Sequence, residues 1–198
     1  PNLNTAVQNL YNQAKPYENR DPRLKASIYY DGSKLNLETG TLVSTKTGGN
    51  CALDPSNARY TCTGYYTRKF SHYKSGRSGN LDGYFKEFRL AELYLNYAEA
   101  ANEASTTGTV PNDAVDAVNT VRSRVGMPGI PYGLSCDQFR LRVRNERRVE
   151  LAFEEHRFFD VRRWKILDQT DKVVTGMKAN ADGSYSRFVV DSDRRAYS

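Results

Sequence analysis

Glu146, Glu150 and Glu154 recur every fourth residue in a stretch crowded with arginine, and acid/base hydrolysis of a glycoside needs two such carboxyl groups side by side. A hydrolase built on Glu146 or Glu150 would also need one of them held protonated by an apolar pocket. Nothing nearby isolates one in that way. Arg142 precedes Glu146 by four residues and Arg147 precedes Glu150 by three, spacings that favour ion pairs along or between helices. Glu92 and Glu99 share a helix face, but seven residues of helix separate them by about 10.5 Å. The two histidines, His72 and His156, leave little room for nucleophilic triads or metal centres. His156 and Asp160 would share a helix face as metal ligands do, yet no third or fourth ligand lies at useful spacing, so a structural histidine is expected. No Gly-x-Gly-x-x-Gly or Gly-x4-Gly-Lys-Ser/Thr run occurs, and Ser75 to Gly79 lacks the helix that would cradle a phosphate. The expectation is a protein without catalytic residues, cofactor or metal.

Three cysteines remain, none in a Cys-x2-Cys spacing. Cys51 and Cys62 enclose a loop containing Pro55 and Asn57, which suits a disulfide in an oxidising compartment and suits two unrelated thiols equally well.

Recognition is a better use of this composition than chemistry. Leu, Ile, Val and Phe make up only about a fifth of the 198 residues, while tyrosine is in surplus at 14. A phenol ring offers a flat apolar face and one hydrogen bond at small entropic cost, which suits sugar rings with C–H faces and hydroxyl rims. Tyr65, Tyr66 and Tyr73 are the first candidates for ligand stacking, followed by Tyr29 and Tyr60, because all lie outside helical periodicity where binding loops sit. The competing expectation is that these rings fill a thin core and the chain is an interaction scaffold; burial of the rings would favour it. The net charge of +6 comes largely from arginines interleaved with acids between 140 and 165, not from a lysine-rich arm, so nucleic acid is not the expected partner. No run approaches the ~18 residues of a membrane span.

The elements that must position these groups fall into compositional regions. Residues 1–88 hold nine tyrosines and eight glycines and read as a loop-rich ligand lobe. Within it, Ala26 to Tyr30 and Lys34 to Leu37 alternate around Asp31-Gly32, predicting a hairpin in which Ile28 and Tyr30 point one way and Tyr29 the other. From Arg89 the period changes to 3.6, with Leu90, Leu93, Tyr94, Tyr97, Ala98 and Ala101 on one face and Ala91 and Leu95 on a second stripe. Ala114, Val115, Val118, Val121 and Val125 form the face of the next helix, stopped by Gly126 and Pro128. Ser135-Cys-Asp-Gln138 is a capping box that opens a third helix, with Phe139, Val143, Val149, Ala152 and Phe153 on its buried side. Helical pattern resumes from Phe158 to Trp164, and propensity leaves open whether a turn intervenes near Glu154 and Glu155. Residues 89–165 therefore read as helical hairpins. Residues 166–198 read as an irregular tail with β-like runs at Val173-Val174 and Arg187 to Val190 around Asp182-Gly183.

Several of these runs are similar to the signature blocks of the SusD/RagB family: Arg89 to Ala100, Val118 to Pro128 and Asn145 to Trp164, with the shorter blocks Asp21-Pro-Arg-Leu24 and Thr63 to Phe70 upstream in the same order. The resemblance implies a mainly α fold of tetratricopeptide-like helical hairpins beside a loop-rich lobe with short β-hairpins, here as one partial domain over residues 1–198. It implies an outer-membrane lipoprotein on the extracellular face that captures oligosaccharide or polysaccharide, in some members peptide, and covers a TonB-dependent transporter of the SusC type. It implies structural roles for Arg89, Glu92, Glu99, Arg122, Glu146, Arg147, Glu150, Arg157, Asp160, Arg163 and Trp164. Family members are usually more than twice this length and carry an N-terminal lipid anchor that this chain lacks. Early helices absent here would leave apolar faces of the Leu90 and Val115 helices uncovered.

Overall fold

The computed structural model describes residues 11–71, 86–170 and 173–191. Among them it forms six helices and two pairs of antiparallel strands, a mainly helical fold. The described residues divide into two compact units. One gathers Asp21–Arg23 and Lys86–Phe159, and the other gathers residues 11–20, 24–71 and 160–191.

The first unit is a set of packed helices. Helix α1 (Arg23–Ser27) contributes Arg23 to it, and its scaffold is α2 (Leu90–Ala104), α3 (Asn112–Ser123) and α4 (Cys136–Glu150). Helix α2 packs against both others. The core is continuous: Leu95 and Ala98 from α2, Ala114, Val115, Val118 and Val121 from α3, and Phe139 and Val143 from α4. The predicted face of α3 is the buried one, since a valine stripe at helical spacing has no other way to leave water. The face of α2 is partly as the pattern suggested: Ala98 is buried and Tyr94 and Ala101 pack on the core, whereas Leu90, Leu93 and Tyr97 are about half exposed or more. Leu95 of the second stripe, Glu99 and Asn102 also point inward, because two neighbours, α3 and α4, fix the rotation of α2, and Asn102 Nδ2 donates to the Cys136 carbonyl at 3.1 Å.

Helix α4 starts as its sequence demands. Ser135 Oγ accepts from the Gln138 amide at 3.2 Å, and the Ser135 amide donates to Gln138 Oε1 at 3.1 Å. Its far end departs from expectation. A turn does separate α4 from α5 (His156–Arg163), with Phe153 and Glu155 both in the left-handed region at φ 65° and 63°. That reversal puts Phe153 outside, and Glu146, Arg147 and Glu150 take the buried positions instead.

The second unit is built from turns and short strands. The Asp31-Gly32 turn forms, closed by Ser33, whose hydroxyl donates to the Tyr30 carbonyl at 2.7 Å and accepts from its amide at 3.0 Å. The predicted hairpin across it does not form. Asn36 Oδ1 takes the amides of Glu38 and Thr39 and reverses the chain again, so Lys34 bridges to Leu42. Strand β1 (Ile28–Tyr29) is left to pair with β2 (Tyr66–Thr67), with Tyr29 opposite Tyr66. After α6 (Leu167–Thr170), the predicted tail is a regular hairpin of β3 (Val174–Ala179) and β4 (Tyr185–Asp191). It docks on residues 63–64: the Met177 amide donates to the Thr63 carbonyl at 2.8 Å. Gly64 is required there, because its φ is 81° and a Cβ would lie 2.1 Å from the Met177 carbonyl oxygen.

Cys51, Cys62 and Cys136 are free thiols. The disulfide left open by the sequence is not made.

Candidate functional site

The carboxylates that drew attention first are each held by arginines. Glu146 accepts from Arg23 Nη1 and Arg122 Nη1, both at 2.6 Å. Glu150 accepts from Arg23 at 2.8 Å, Arg89 at 2.5 Å and Arg124 at 2.7 Å. Arg89 also forks onto Glu154 at 2.7 and 2.8 Å. Burial would push the Glu150 carboxyl up, but the hydrogen bonds from Arg23 and Arg89 and the surrounding guanidinium charge hold it below the ordinary carboxylate range. A group so held is an anion, not a proton donor. The partners differ from the expected ladder: Arg23, Arg89, Arg122 and Arg124 reach in from other segments, while Arg147 donates to Asn96 at 2.6 Å and faces Glu99 at 3.7 Å. His156 lies 3.5 Å from Glu92, and Asp160 accepts from Arg163 at 2.8 Å, so each of these two has its own partner.

In the other unit, tyrosines are brought together, though not in the expected set. Tyr17 is the hub. Its ring stacks on Tyr30 at 4.1 Å and meets Tyr185 and Tyr65 edge-on at 5.3 and 6.3 Å. Burial, the hydrogen bond with Tyr65 and the nearby phenols and Asp31 hold the Tyr17 hydroxyl far above its ordinary pKa, so it is a permanent donor. Tyr185 donates to Asp31 Oδ2 at 3.3 Å, and Asp31 Oδ1 takes the Thr45 amide at 2.8 Å.

The predicted ligand tyrosines are therefore distributed. Tyr65 is half-buried in this cluster. Tyr66 is also half-buried, accepting from the Thr61 amide at 3.1 Å and donating to the Ala52 carbonyl at 3.3 Å. Tyr60 is 37 % exposed, and Tyr29 only 6 %. Tyr73 lies outside the described residues. Sequence reasoning missed Tyr17 and Tyr185 as members of a cluster. Neither shares a period with its partners, so spacing carried no signal for them.

Tyr29 nevertheless edges a pocket of about 280 Å³, together with Leu35, Leu37, Arg68, Lys69 and Phe70. The Arg68 guanidinium lies over the Tyr29 ring, 5.3 Å from its centroid. Among the described residues, no group of three or more His, Cys, Asp and Glu side chains could hold a metal ion, and no helix is long and apolar enough to cross a membrane.

Comparison with known proteins places this arrangement. The model of the SusD family matches residues 2–197. A solved SusD-like protein from Bacteroides fragilis is 33 % identical, with a TM-score of 0.78 over 94 % of this chain and 36 % of that one. A second from the same species, described as a SusD-like carbohydrate binding protein, is 27 % identical, with a TM-score of 0.70 over 96 % of this chain and 39 % of that one. The SusD-like protein P25 of Formosa agariphila is 40 % identical over 83 residues, which are 40 % of this chain and 15 % of that protein. The chain thus spans well under half the length of each.

Proposed function

The chain belongs to the SusD family, and on that premise we propose that it is a carbohydrate-binding component of a cell-surface glycan uptake system and carries out no catalysis itself. The observation that carries this reading is the likeness over 96 % of the chain to a structure described as a carbohydrate binding protein. The clamped Glu150 supports it, since a glycosidase needs a protonated acid and this carboxyl is held below the ordinary carboxylate range. In this reading the parent protein is held by an N-terminal lipid anchor on the extracellular face of the outer membrane. It passes oligosaccharide to a TonB-dependent transporter of the SusC type.

The loop tyrosines Tyr65, Tyr66, Tyr73, Tyr29 and Tyr60 supply the ligand surface, with Tyr60 the most open of those described. Affinity electrophoresis of the chain against soluble polysaccharides tests binding. Alanine at Tyr65 or Tyr66, in protein that melts normally, is expected to retard less in the gel; unchanged mobility shifts would remove these residues from the site. A second reading, a helical scaffold for a protein partner or a member of the family that binds peptide, is favoured by the burial of Tyr29 and Tyr30. It predicts no retardation by any polysaccharide.

A further inference from the structure

The pocket beside β1 has a chemistry of its own. Among the described residues that line it are two cations, Arg68 and Lys69, and no carboxylate. The Arg68 and Lys69 amides both donate to the Ser27 carbonyl, at 2.9 and 3.2 Å, and the Ser71 amide closes a turn onto the Arg68 carbonyl at 2.8 Å. Phe70 sits inside that turn at φ 70°, a conformation bulky residues seldom adopt. Such strain persists only where the surroundings enforce it, and it is concentrated at binding sites. The Arg68 guanidinium is pre-oriented: it lies over Tyr29, and Nη1 donates to the Lys25 carbonyl at 2.8 Å. Its other N–H groups have no acceptor among the described residues. A guanidinium held flat with donors to spare presents the two-pronged geometry that matches a carboxylate or sulfate.

Leu35, Leu37 and Phe70 give the pocket apolar walls, and Leu37 is 53 % exposed. At about 280 Å³ it lies near the small end of ligand sites, suited to one ring and not to a chain. We propose that this pocket takes an acidic sugar residue, a uronate or a sulfate ester, with the anion on Arg68 and the C–H face of the ring on the leucine and phenylalanine walls. The proposal rests on the glycan-binding reading above and names the ligand class within it.

Isothermal titration of the chain with three probes tests it: a trigalacturonate for the carboxylate, a sulfated galactan oligosaccharide for the sulfate, and maltotriose as neutral control. At least one acidic probe is expected to bind ~10-fold or more tightly than maltotriose, since hydrogen bonds to charged groups are the strong ones. Raising salt from about 0.05 to about 0.5 M should erode that margin. Arg68→Met should abolish the preference and Arg68→Lys should keep only part of it. Because Arg68 also covers Tyr29, a second variant avoids it: Leu37→Asp, at an exposed position, should weaken the acidic probe ~10-fold and narrow its margin over the neutral one. Acidic and neutral probes binding alike, or Arg68→Met and Leu37→Asp both leaving acidic binding intact, would overturn the proposal while glycan binding stands. Failure of all three probes and of a wider polysaccharide screen would instead overturn the glycan-binding reading together with it.

Discussion

In the helical unit the buried polar groups are mostly ionisable side chains. Glu146 and Glu150 are 1 % and 3 % exposed, and between them they engage four arginines drawn from three segments of the chain. In the other unit the buried polar groups are mostly phenols, hydroxyls and amides, satisfied by one another and by the backbone of tight turns. The two solutions have different consequences. A buried carboxylate tolerates no missing partner, because an unpaired ion in a low-dielectric interior is costly, so the helical unit is specified tightly. A phenol or hydroxyl left without its partner costs far less. The tyrosine-rich unit can therefore keep part of its polar surface open.

The largest expected effect tests the ionic half of that contrast. Glu150→Ala removes the shared acceptor of Arg23, Arg89 and Arg124 and should destabilise the chain by about 3–5 kcal/mol, read as a fall in the midpoint of urea unfolding. A loss below about 1 kcal/mol would show that the arginines find water and that the network specifies nothing. The same carboxylate sets a pH dependence. Its folded pKa lies below the unfolded value, about 4.3 for glutamate, so its contribution is complete at neutral pH and disappears as pH falls through the folded value. Asp21, whose carboxyl Arg23 also holds down against the effect of burial, acts in the same direction. Melting temperatures should be flat near neutrality and fall steeply below about pH 4. In Glu150→Ala that acid limb should be shallower.

The turn-built unit breaks at backbone instead. Gly64→Ala places a Cβ against the Met177 carbonyl oxygen at a φ that alanine disfavours, and a loss of about 1–3 kcal/mol is expected. Tyr17→Phe keeps every ring contact and deletes one hydroxyl, so it should cost only about 1 kcal/mol. If Tyr17→Phe cost as much as Glu150→Ala, the distinction between the units would fail. Urea midpoints for the set decide it.

What could be read from the sequence follows the range of the forces involved. The Ser135 capping box, the valine face of α3 and the Asp182-Gly183 turn are local, and each formed as its spacing required. Partner choice was not local. Arg23 meets Glu146 across 123 positions, and near it the sequence offered only the family block Asp21 to Leu24. Strand β1 likewise found Tyr66–Thr67 instead of the nearer Lys34 to Leu37, because Asn36 turned that segment away. Among the tyrosines proposed to meet ligand, the sequence could not separate rings that fill space, such as Tyr29, from rings that face water, such as Tyr60. Burial of one ring depends on Tyr17 and Tyr185, residues that no period connects to it.

The smallest expected effect concerns α2, where the helical unit itself shows both behaviours on one element. Leu95 is fully buried, and Leu90, Leu93 and Tyr97, at the spacing of one helix face, remain 62 %, 49 % and 48 % exposed. A half-exposed apolar stripe contributes less to stability than a buried one, since it loses only about half of its hydrated area on folding. Leu93→Gln should therefore shift stability by no more than about 0.5 kcal/mol, against about 2–5 kcal/mol for Leu95→Ala two positions away. Thermal unfolding of the two variants side by side measures the difference. A large loss in Leu93→Gln would mean that this face is covered within the folded chain, and that the rotation of α2 is the one its first apolar stripe suggests. A negligible loss leaves packing against α3 and α4 and the Asn102 hydrogen bond as what fixes how α2 is turned.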